Sequence, residues 1–477
     1  MSLPDLIEIV PLQKPVRAEI RVPGSKSITN RVLILAALAD GETRLKGALW
    51  SEDTQIMVGA LKTLGFTIKV ERDPIEFCNR TITVVGMGGR VPKGGKTGDD
   101  ATEIFVGNAG TAARFLAAFV CLGKGYYKLS GVPRMHERPQ YALFKAISKP
   151  SDLARFFSLF SSRPLAALGY SVQSKNGKLP VTILGSGRRV GAKCDVSIEE
   201  SSQFASALLL CEEAGGWKIN VLGDNAEESP YVAMTTKLIE LFRKNKGETF
   251  QIEPDASSGS YFWAAGWLFP VPKNSPEQKA IGVSRFDLSL YLRGKITRRN
   301  FFSVSVLNWP MTDWQIDQWF PALLSEPPDF PGTTSRISDM GDSIMTAITV
   351  APFAHQPCKF TDLGRLRVQE TERVVALRTE LTRCGARVVE ERDTLTVYPS
   401  QLHGAEIETY GDHRMAMCFA TLGLKVPGIK IKNPACVKKT FPNFFQKLAA
   451  APPHGLGATI LEGKTGRRLT HDELFAD

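Results

Sequence analysis

The sequence lacks the features that mark a membrane protein or a disulfide-bonded secreted scaffold. No stretch of about 20 apolar residues occurs, which excludes a membrane-spanning helix. The opening MSLPDLIEIV contains neither a basic nor a long apolar segment, so we expect no secretion signal and a cytoplasmic protein. The eight cysteines include no CxxC pair and the six histidines form no cluster. We therefore expect buried, reduced thiols, no metal site and no cofactor.

Length and charge are compatible with a multidomain protein that binds small anions. The chain has 477 residues, 43% of them hydrophobic, which is too long for one small core and too apolar for a disordered chain. A net charge of +10 raises the question of nucleic-acid binding. The basic residues are scattered through short loops rich in glycine, serine and threonine, beside acidic residues. This pattern favours pockets for small anions over a nucleic-acid surface.

One local pattern, a glycine- or serine-rich turn followed by a helix and a strand, recurs along the chain. It occurs at residues 23–38, 107–122, 201–210, 255–267, 342–352, 368–381 and 411–424. The recurrence predicts an α/β architecture built from similar pieces. Residues 148–168 and 270–302 do not fit the pattern, and we interpret them as insertions. The Pro- and Gly-rich stretch from about residue 450 predicts a loosely attached tail.

The strongest local motif is Pro23-Gly24-Ser25-Lys26-Ser27, which precedes a helical run containing Arg31. Small residues let the backbone approach an anion, and the N–H groups of a helix start attract it together with Lys26 and Arg31. The motif differs from the GxxxxGK[ST] loop that binds nucleotide phosphates. The residues alone allow an anion site or a structural turn with solvated charges.

Three other segments of the first half could bind a ligand or serve structure alone. The turn Gly107–Thr111 leads into a helix that its polar residues could cap. Prolines flank Arg134 and Arg138, and arginines stiffened in this way suit carboxylate or phosphate recognition, although an exposed turn is also possible. Ser201-Ser202-Gln203 places polar groups at the electropositive start of an apolar helix.

Polar residues of the second half also have two interpretations. Asp342 precedes an apolar helix and could cap it. Glu370 and Arg373 are three residues apart, and such a pair is usually a surface salt bridge of little energetic value. The segments Tyr410–Arg414 and Lys438–Pro442 carry further cations.

Taken together, the motifs resemble the enolpyruvyl transferases, and specifically the 5-enolpyruvylshikimate-3-phosphate synthase family. Nine segments between residues 21 and 446 carry the resemblance: PGSKSITNR, GNAGTAARFL, GVPRMHERP, ESSQF, PDASSGSYF, GDSIMTA, RVQETER, YGDHRMAM and KTFP. Their number and order are far more specific than any one motif.

The resemblance implies an α/β fold of two similar globular domains, an inside-out α/β barrel. Each domain would have three repeated β-α units with helices under four-stranded sheets. The first lobe would contain residues 22–253 and the second residues 1–21 with 254–450, followed by a tail at 451–477. Ligand binding would close the cleft between the lobes and exclude water. We expect a monomer that binds neither nucleic acid nor a membrane.

The resemblance also implies a reaction. The enolpyruvyl group of phosphoenolpyruvate would pass to the 5-hydroxyl of shikimate 3-phosphate, through a tetrahedral ketal that releases phosphate. This step belongs to the shikimate pathway to chorismate and the aromatic amino acids. One acid and one base are needed in opposite phases of the reaction.

Site residues follow from the matching motifs. Glu370 is the candidate donor of the proton at C3, and Asp342, with Lys26, is the candidate acceptor of the hydroxyl proton. Predicted phosphoenolpyruvate ligands are Lys26, Gly110, Arg134, Gln203, Arg373, Arg414 and Lys439. Predicted shikimate 3-phosphate ligands are Lys26, Ser27, Arg31, Ser201, Ser202, Gln203, Tyr231, Asp342 and Gln369.

Three positions depart from the family pattern. Gln369 stands where a lysine is common, Arg365 where an asparagine is usual, and Glu228 where a serine is usual. Arg365 could supply the charge that is lost at Gln369. We expect retained activity with altered affinity.

Two alternative functions remain open at this stage. A transferase that adds enolpyruvate to UDP-N-acetylglucosamine shares the fold, but the paired serines before Gln203 and the DHR segment favour the shikimate enzyme. A catalytically impaired relative that binds RNA would fit the net charge. RNA binding is disfavoured because aromatic residues, on which bases would stack, are not interleaved with the basic loops.

Overall fold

The computed structural model describes residues 3–149, 166–199, 201–223, 229–244, 249–270, 303–324 and 329–477. The chain divides into two compact units. The N-terminal unit consists of Pro23–Glu253 and Thr312–Gln315. The C-terminal unit consists of Met1–Val22, Pro254–Met311 and Ile316–Asp477.

Strands and helices alternate along both units. The strands are β1 (Leu6–Ile9), β2 (Ala18–Ile20), β3 (Asp40–Leu49), β4 (Thr67–Arg72), β5 (Asn79–Met87), β6 (Thr102–Phe105), β7 (Lys124–Ser130), β8 (Ser171–Ser174), β9 (Val181–Ser186), β10 (Lys193–Ser197), β11 (Lys218–Leu222), β12 (Thr249–Gln251), β13 (Val304–Val306), β14 (Thr333–Ser335), β15 (Cys358–Thr361), β16 (Val388–Glu391), β17 (Thr394–Val397), β18 (Glu406–Ile407), β19 (Ile429–Lys432) and β20 (Ile460–Glu462). The α-helices are α1 (Lys26–Leu38), α2 (Glu52–Thr63), α3 (Gly110–Phe119), α4 (Pro133–Glu137), α5 (Tyr141–Ile147), α6 (Ser202–Gly215), α7 (Ser229–Lys244), α8 (Ala256–Leu268), α9 (Phe320–Leu323), α10 (Ile344–Val350), α11 (Arg373–Arg383), α12 (His413–Gly423) and α13 (Phe444–Ala449).

In the N-terminal unit, buried helices form the core and sheets cover them. The sheets have the strand orders β12-β3-β5-β4, β6-β7-β9-β8 and β10-β11. Alternation in β5 turns Ile82 and Val84 inward. Helices α1, α3 and α6 are buried along most of their length, because they are apolar on nearly all sides. Their starts carry Lys26, Gly110 and Ser202.

The C-terminal unit is built in the same way. Its sheets have the orders β18-β19-β1-β20, β14-β15-β17-β16 and β13-β2. All residues of α8 and α10 are buried, and so are all residues of α12 except Arg414. The α/β prediction is therefore confirmed. Within the described residues, however, the third sheet of each unit has two strands and not the four that the resemblance implies.

The C-terminal segment, residues 451–477, differs from the loosely attached tail that its composition predicts. Its strand β20 pairs antiparallel with β1, with Ile9 opposite Ile460. Leu456, Leu469 and Leu474 are buried in the core of the unit. Apolar residues spaced among the prolines, glycines and charges supply the surface that docks the segment.

Most of each predicted insertion lies outside the described residues, namely 150–165 in the first and 271–302 in the second.

Of the helices that the structure describes, none combines the length and apolar character needed to cross a bilayer.

Candidate active site

Lys26 is held at the start of α1 by a carboxylate that the sequence analysis missed. Its Nζ lies 3.1 Å from Oδ2 of Asp53, whose side chain is buried. The preceding turn requires glycine, because a Cβ on Gly24 would lie 1.9 Å from the backbone oxygen of Gly47. The ion pair and the close approach to β3 together fix where this ammonium group points.

Arg31 is buried within a network of hydroxyl groups. Its Nε donates to Oγ1 of Thr235 at 2.8 Å, and its Nη2 donates to Oγ of Ser206 at 3.2 Å. The backbone oxygen of Tyr231 accepts from Nη2 at 3.5 Å. Arg31 therefore joins α1, α6 and α7, and phosphate contact by Arg31 or Tyr231 stays a prediction.

Gln203 connects the starts of α3 and α6. Its side-chain oxygen accepts from Nη1 of Arg114, and its Nε2 donates to Oγ1 of Thr111 at 3.2 Å. Ser201 caps α6, since its Oγ accepts from the backbone N–H of Gln203 at 3.2 Å. Ser201 and Ser202 are both buried. The capping interpretation is confirmed for Ser201, and ligand contact by Ser201, Ser202 and Gln203 stays a prediction.

Of the two arginines between prolines, the structure brings Arg138, and not Arg134, to Gly110. Arg134 is 46% exposed and pairs with Glu137 at 2.6 Å. Arg138 is 7% exposed, and its guanidinium atoms lie 2.8–2.9 Å from where a Cβ on Gly110 would be. A Cβ at this first helical position would therefore displace the guanidinium. The sequence singled out both arginines as candidates for anion recognition, but the resemblance named only Arg134 among the ligands.

Arg373 is the centre of an ion-pair cluster in the C-terminal unit. Its side chain is 1% exposed, and its Nε and Nη2 donate to the two carboxylate oxygens of Asp412 at 2.7 and 3.2 Å. Nη2 also donates to Glu370 at 2.9 Å, and Nη1 donates to the side-chain oxygen of Gln369. The interpretation of Glu370 and Arg373 as a surface salt bridge is therefore wrong, because Arg373 is buried and also binds Asp412, which is distant in sequence.

Glu370 is shared by two cations. Its Oε1 lies 3.1 Å from Nζ of Lys439, while Oε2 accepts from Arg373. The exposed fractions of the Lys439 and Glu370 side chains are 7% and 13%. The structure thus brings three of the predicted residues together, as their proposed roles require.

Asp342 is paired with two arginines and does not cap the helix that follows. Its Oδ1 accepts from Arg336 at 3.0 Å, and its Oδ2 lies 3.2 Å from Arg414. The N-cap of α10 is Ser343, without a side-chain capping bond. Burial alone would raise the pKa of Asp342, but Arg414 and Arg336 outweigh burial and hold that pKa well below its usual value.

Asp317 is a second buried carboxylate at this cluster that sequence analysis missed. Its Oδ1 accepts from the backbone N–H of Ser343 at 2.6 Å. Burial, followed by the negative charge of Asp342, raises the pKa of Asp317 to about 6. No local motif marked Asp317, since its relevance depends on the fold bringing two distant segments together.

The turn before α12 is held by a buried carboxylate on α11. Tyr410 has a positive φ of 55°, and its hydroxyl donates to Oε1 of Glu380 at 2.8 Å. The backbone N–H of Glu408 donates to Oε2 of Glu380 at 3.2 Å. Asp412 then caps α12 by accepting from the backbone N–H of Arg414 at 2.8 Å. Glu380 thereby fixes the turn that presents Asp412 and Arg414.

The three positions that depart from the family pattern have different surroundings. Gln369 contacts Arg373, as described above. Arg365 is 9% exposed in the turn Gly364–Val368. Glu228 lies outside the described residues. Across the described part of the chain, no group of three or more His, Cys, Asp or Glu side chains could hold a metal ion.

Comparison with known proteins gives a consistent result. The family model for EPSP synthase (3-phosphoshikimate 1-carboxyvinyltransferase) matches residues 10–150 and 161–448. The 3-phosphoshikimate 1-carboxyvinyltransferase of Nostoc punctiforme is 33% identical over 461 residues, covering 93% of this chain and 98% of the relative. The chloroplastic 3-phosphoshikimate 1-carboxyvinyltransferase of Solanum lycopersicum is also 33% identical, with 94% and 85% covered.

Solved structures agree in fold. EPSP synthase from Acinetobacter baumannii superimposes with a TM-score of 0.61 at 20% identity, covering 95% of this chain and 99% of that chain. The enolpyruvyl transferase NikO from Streptomyces tendae gives a TM-score of 0.58 at 15% identity, with 96% and 99% covered. At these identities the structures establish the fold alone, whereas the family model and the curated relatives establish the family. The chain belongs to the EPSP synthase family.

Proposed function

We propose that this chain transfers the enolpyruvyl group of phosphoenolpyruvate to the 5-hydroxyl of shikimate 3-phosphate and releases phosphate. The family match covers the segments that carry every predicted site residue, and this observation carries the proposal. The two clusters described above supply cations for two polyanionic substrates and carboxylates for proton transfer.

In the N-terminal unit we propose a cradle for shikimate 3-phosphate. Ser201 and Ser202 lie at the start of α6, where helix polarity favours a phosphate. Lys26 adds a fixed positive charge at the start of α1. Ser27, Arg31, Gln203 and Tyr231 are the other proposed ligands of this substrate in the unit.

We propose that phosphoenolpyruvate binds Arg373, Arg414 and Lys439, and that Lys26, Gly110, Arg134 and Gln203 are its other ligands. Arg373 and Lys439 are buried, Arg414 is partly buried, and each pairs with a carboxylate, so an anionic ligand would replace partners that already neutralise these cations. Gly110 and Arg138 offer a helix start with an adjacent guanidinium. Arg134 remains a proposed ligand without comparable support, because it is exposed.

The carboxylates are proposed to move the two protons. The 5-hydroxyl oxygen bonds to C2 of phosphoenolpyruvate while its proton passes to Asp342 and Glu370 protonates C3. Loss of a proton from C3 and cleavage of the C2–O bond to phosphate then give the product. The low pKa of Asp342 keeps this group ionised but makes it a weak base, and a ligand that draws Arg414 away from it would strengthen it as a proton acceptor. A ligand that draws Lys439 and Arg373 away from Glu370 would favour the protonated, acidic form of Glu370.

We further propose that the protein works as a cytoplasmic monomer whose two lobes are residues 22–253 and residues 1–21 with 254–450. Its partners would be the two small substrates, with no nucleic acid and no membrane. Light scattering after size-exclusion chromatography tests the oligomeric state, and an eluting dimer would contradict this part of the proposal.

Initial rates of phosphate release test the reaction directly. Both substrates together should give phosphate, while omission of either should abolish it. UDP-N-acetylglucosamine should not replace shikimate 3-phosphate as the acceptor. Absence of phosphate release at saturating concentrations of both substrates would refute the proposed reaction.

Matched variants test the carboxylate roles. Glu370→Gln and Asp342→Asn should each lower kcat by about 100-fold or more, the usual scale of general acid–base catalysis. Glu103→Gln is the control, because Glu103 is 73% exposed and pairs only at the surface with Lys128. Loss of activity in the control, or full activity in either site variant, would contradict the assignment.

A further inference from the structure

The segment that follows α13 lies outside the region that defines the family. The family match ends at residue 448, whereas the chain continues through residues 451–477 as an ordered part of the C-terminal unit. Ala458 and Ile460 are 1% exposed and belong to the same core as α13. Strand β20 completes a four-stranded sheet beside β1. This segment therefore lies beyond the matched region and has its own apolar anchor.

The end of the segment contacts the loop that carries Lys439. The backbone N–H of Ala476 donates to the backbone oxygen of Pro442 at 2.9 Å. Nζ of Lys438 donates to the backbone oxygen of Asp477 at 3.0 Å. Leu474 and Ala476 are 1% and 2% exposed, in one core with Phe441 and Phe444. The two hydrogen bonds thus lie on either side of Lys439 in sequence.

The same end is ordered by its own polar contacts. Arg467 donates to Glu473 through Nη1 and Nη2 at 3.1 and 2.8 Å. The backbone N–H of Thr470 donates to Glu473 at 2.9 Å. Nε2 of Gln446 on α13 donates to the backbone oxygen of His471 at 2.9 Å. The turn at residues 470–474 is therefore held both internally and by α13, which lets it act as a fixed support.

Lys439 needs such support because a lysine side chain is long and flexible. Its ammonium group reaches Glu370 from the end of the short helical turn Pro434–Lys439. Val437 and Phe441 anchor this loop in the core. The contacts with Ala476 and Asp477 hold the same loop from a second side, between Lys438 and Pro442.

We propose that residues 470–477 are a positioning element that fixes the Lys439 loop, and through it the contact of Lys439 with Glu370 and phosphoenolpyruvate. The proposal rests on the proposed function for its kinetic consequence. Loss of the support should raise the KM for phosphoenolpyruvate about five- to tenfold, the scale of one lost hydrogen bond. The KM for shikimate 3-phosphate should change less than twofold.

Two variants remove the support in different ways. Ala476→Pro removes the N–H that Pro442 accepts from, and Phe475 already has the extended conformation that a following proline requires (φ −86°, ψ 134°). Deletion of residues 472–477 removes the end of the segment and leaves β20 in place. Lys464→Ala is the control, because Lys464 is exposed in the same segment. Each variant is assayed well below its melting temperature.

A coupling measurement separates positioning from general stability. In a Lys439→Met background, Ala476→Pro should leave the KM for phosphoenolpyruvate unchanged, because the side chain that it positions is gone. Independently of activity, hydrogen exchange of the amides of residues 437–445 should accelerate at least fivefold in both variants but not in the Lys464→Ala control.

The outcomes discriminate clearly. A raised KM that disappears in the Lys439→Met background, together with faster exchange, supports the positioning role. An unchanged KM in both variants, equal effects with and without Lys439, or unchanged exchange would overturn it. Absence of transferase activity in the parent chain would refute the proposed function instead, and the exchange measurement would still decide whether the loop is supported.

Discussion

Replacing Asp412 by asparagine separates the charge of this buried residue from its capping role. The Asp412 side chain is fully buried, binds Arg373 through both oxygens, and caps α12 through the N–H of Arg414. Asparagine caps a helix about as well as aspartate. The variant therefore removes the ion pair and retains the cap.

The expected loss of unfolding free energy is large. Removing one partner of a buried ion pair costs about 3–5 kcal/mol, and Glu370 continues to pair with Arg373, so we expect about 3 kcal/mol for Asp412→Asn. Asp412→Ala also removes the cap and should cost about 1 kcal/mol more. The comparison with alanine thus measures the cap separately.

Urea unfolding monitored by circular dichroism measures these differences, with hydrogen exchange in α12 identifying the transition of the C-terminal unit. Asp393→Asn is the matched control, because Asp393 is 58% exposed where it pairs with Arg367 and should contribute less than about 1 kcal/mol. The reasoning fails if Asp412→Asn lies within 1 kcal/mol of the parent, or if the control costs as much as the buried variant.

Three further variants test individual contacts. Asp53→Asn removes the partner of Lys26 and should lower kcat/KM about tenfold in the phosphate-release assay, so an unchanged value would contradict the positioning of Lys26. Burial raises the folded-state pKa of Asp317 to about 6, so the folded chain holds a proton that the unfolded chain has lost, and stability falls as the pH rises from about 4 to about 6. Asp317→Asn should therefore be more stable than the parent at pH 8, by at most about 3 kcal/mol, and equal near pH 4; a difference independent of pH in urea titrations would refute this. Tyr410→Phe removes the hydrogen bond to Glu380 and should lower the unfolding free energy by about 1–2 kcal/mol, whereas an unchanged melting temperature would show that the contact contributes nothing.

The fold could be anticipated to the extent that local patterns determine it. Helix starts at Lys26 and Ser202 follow glycine or serine segments, and their apolar runs are buried as expected. The docking of residues 451–477 was not predictable in this way. Composition describes average polarity, whereas docking depends on a few apolar residues such as Leu474 matching a surface formed by distant elements.

The site shows the same limit. Motifs identified Glu370, Arg373 and Lys439, and the structure assembles these three. Asp53 was missed because it acts through Lys26, which is distant in sequence. Asp317 was missed because it lies in a segment without a recognisable motif. Spacing could not show that Arg134 is exposed and Arg138 is buried, because tertiary packing decides the exposure of each side chain.

Product analysis with labelled phosphoenolpyruvate tests the proposed reaction most directly. The chain is incubated with shikimate 3-phosphate and phosphoenolpyruvate carrying carbon-13 in all its carbons. We predict that mass spectrometry finds the labelled three-carbon group attached to shikimate 3-phosphate, with one phosphate released for each group transferred. Phosphate released without transfer of the label, or label found only on a UDP-sugar acceptor, would contradict the account.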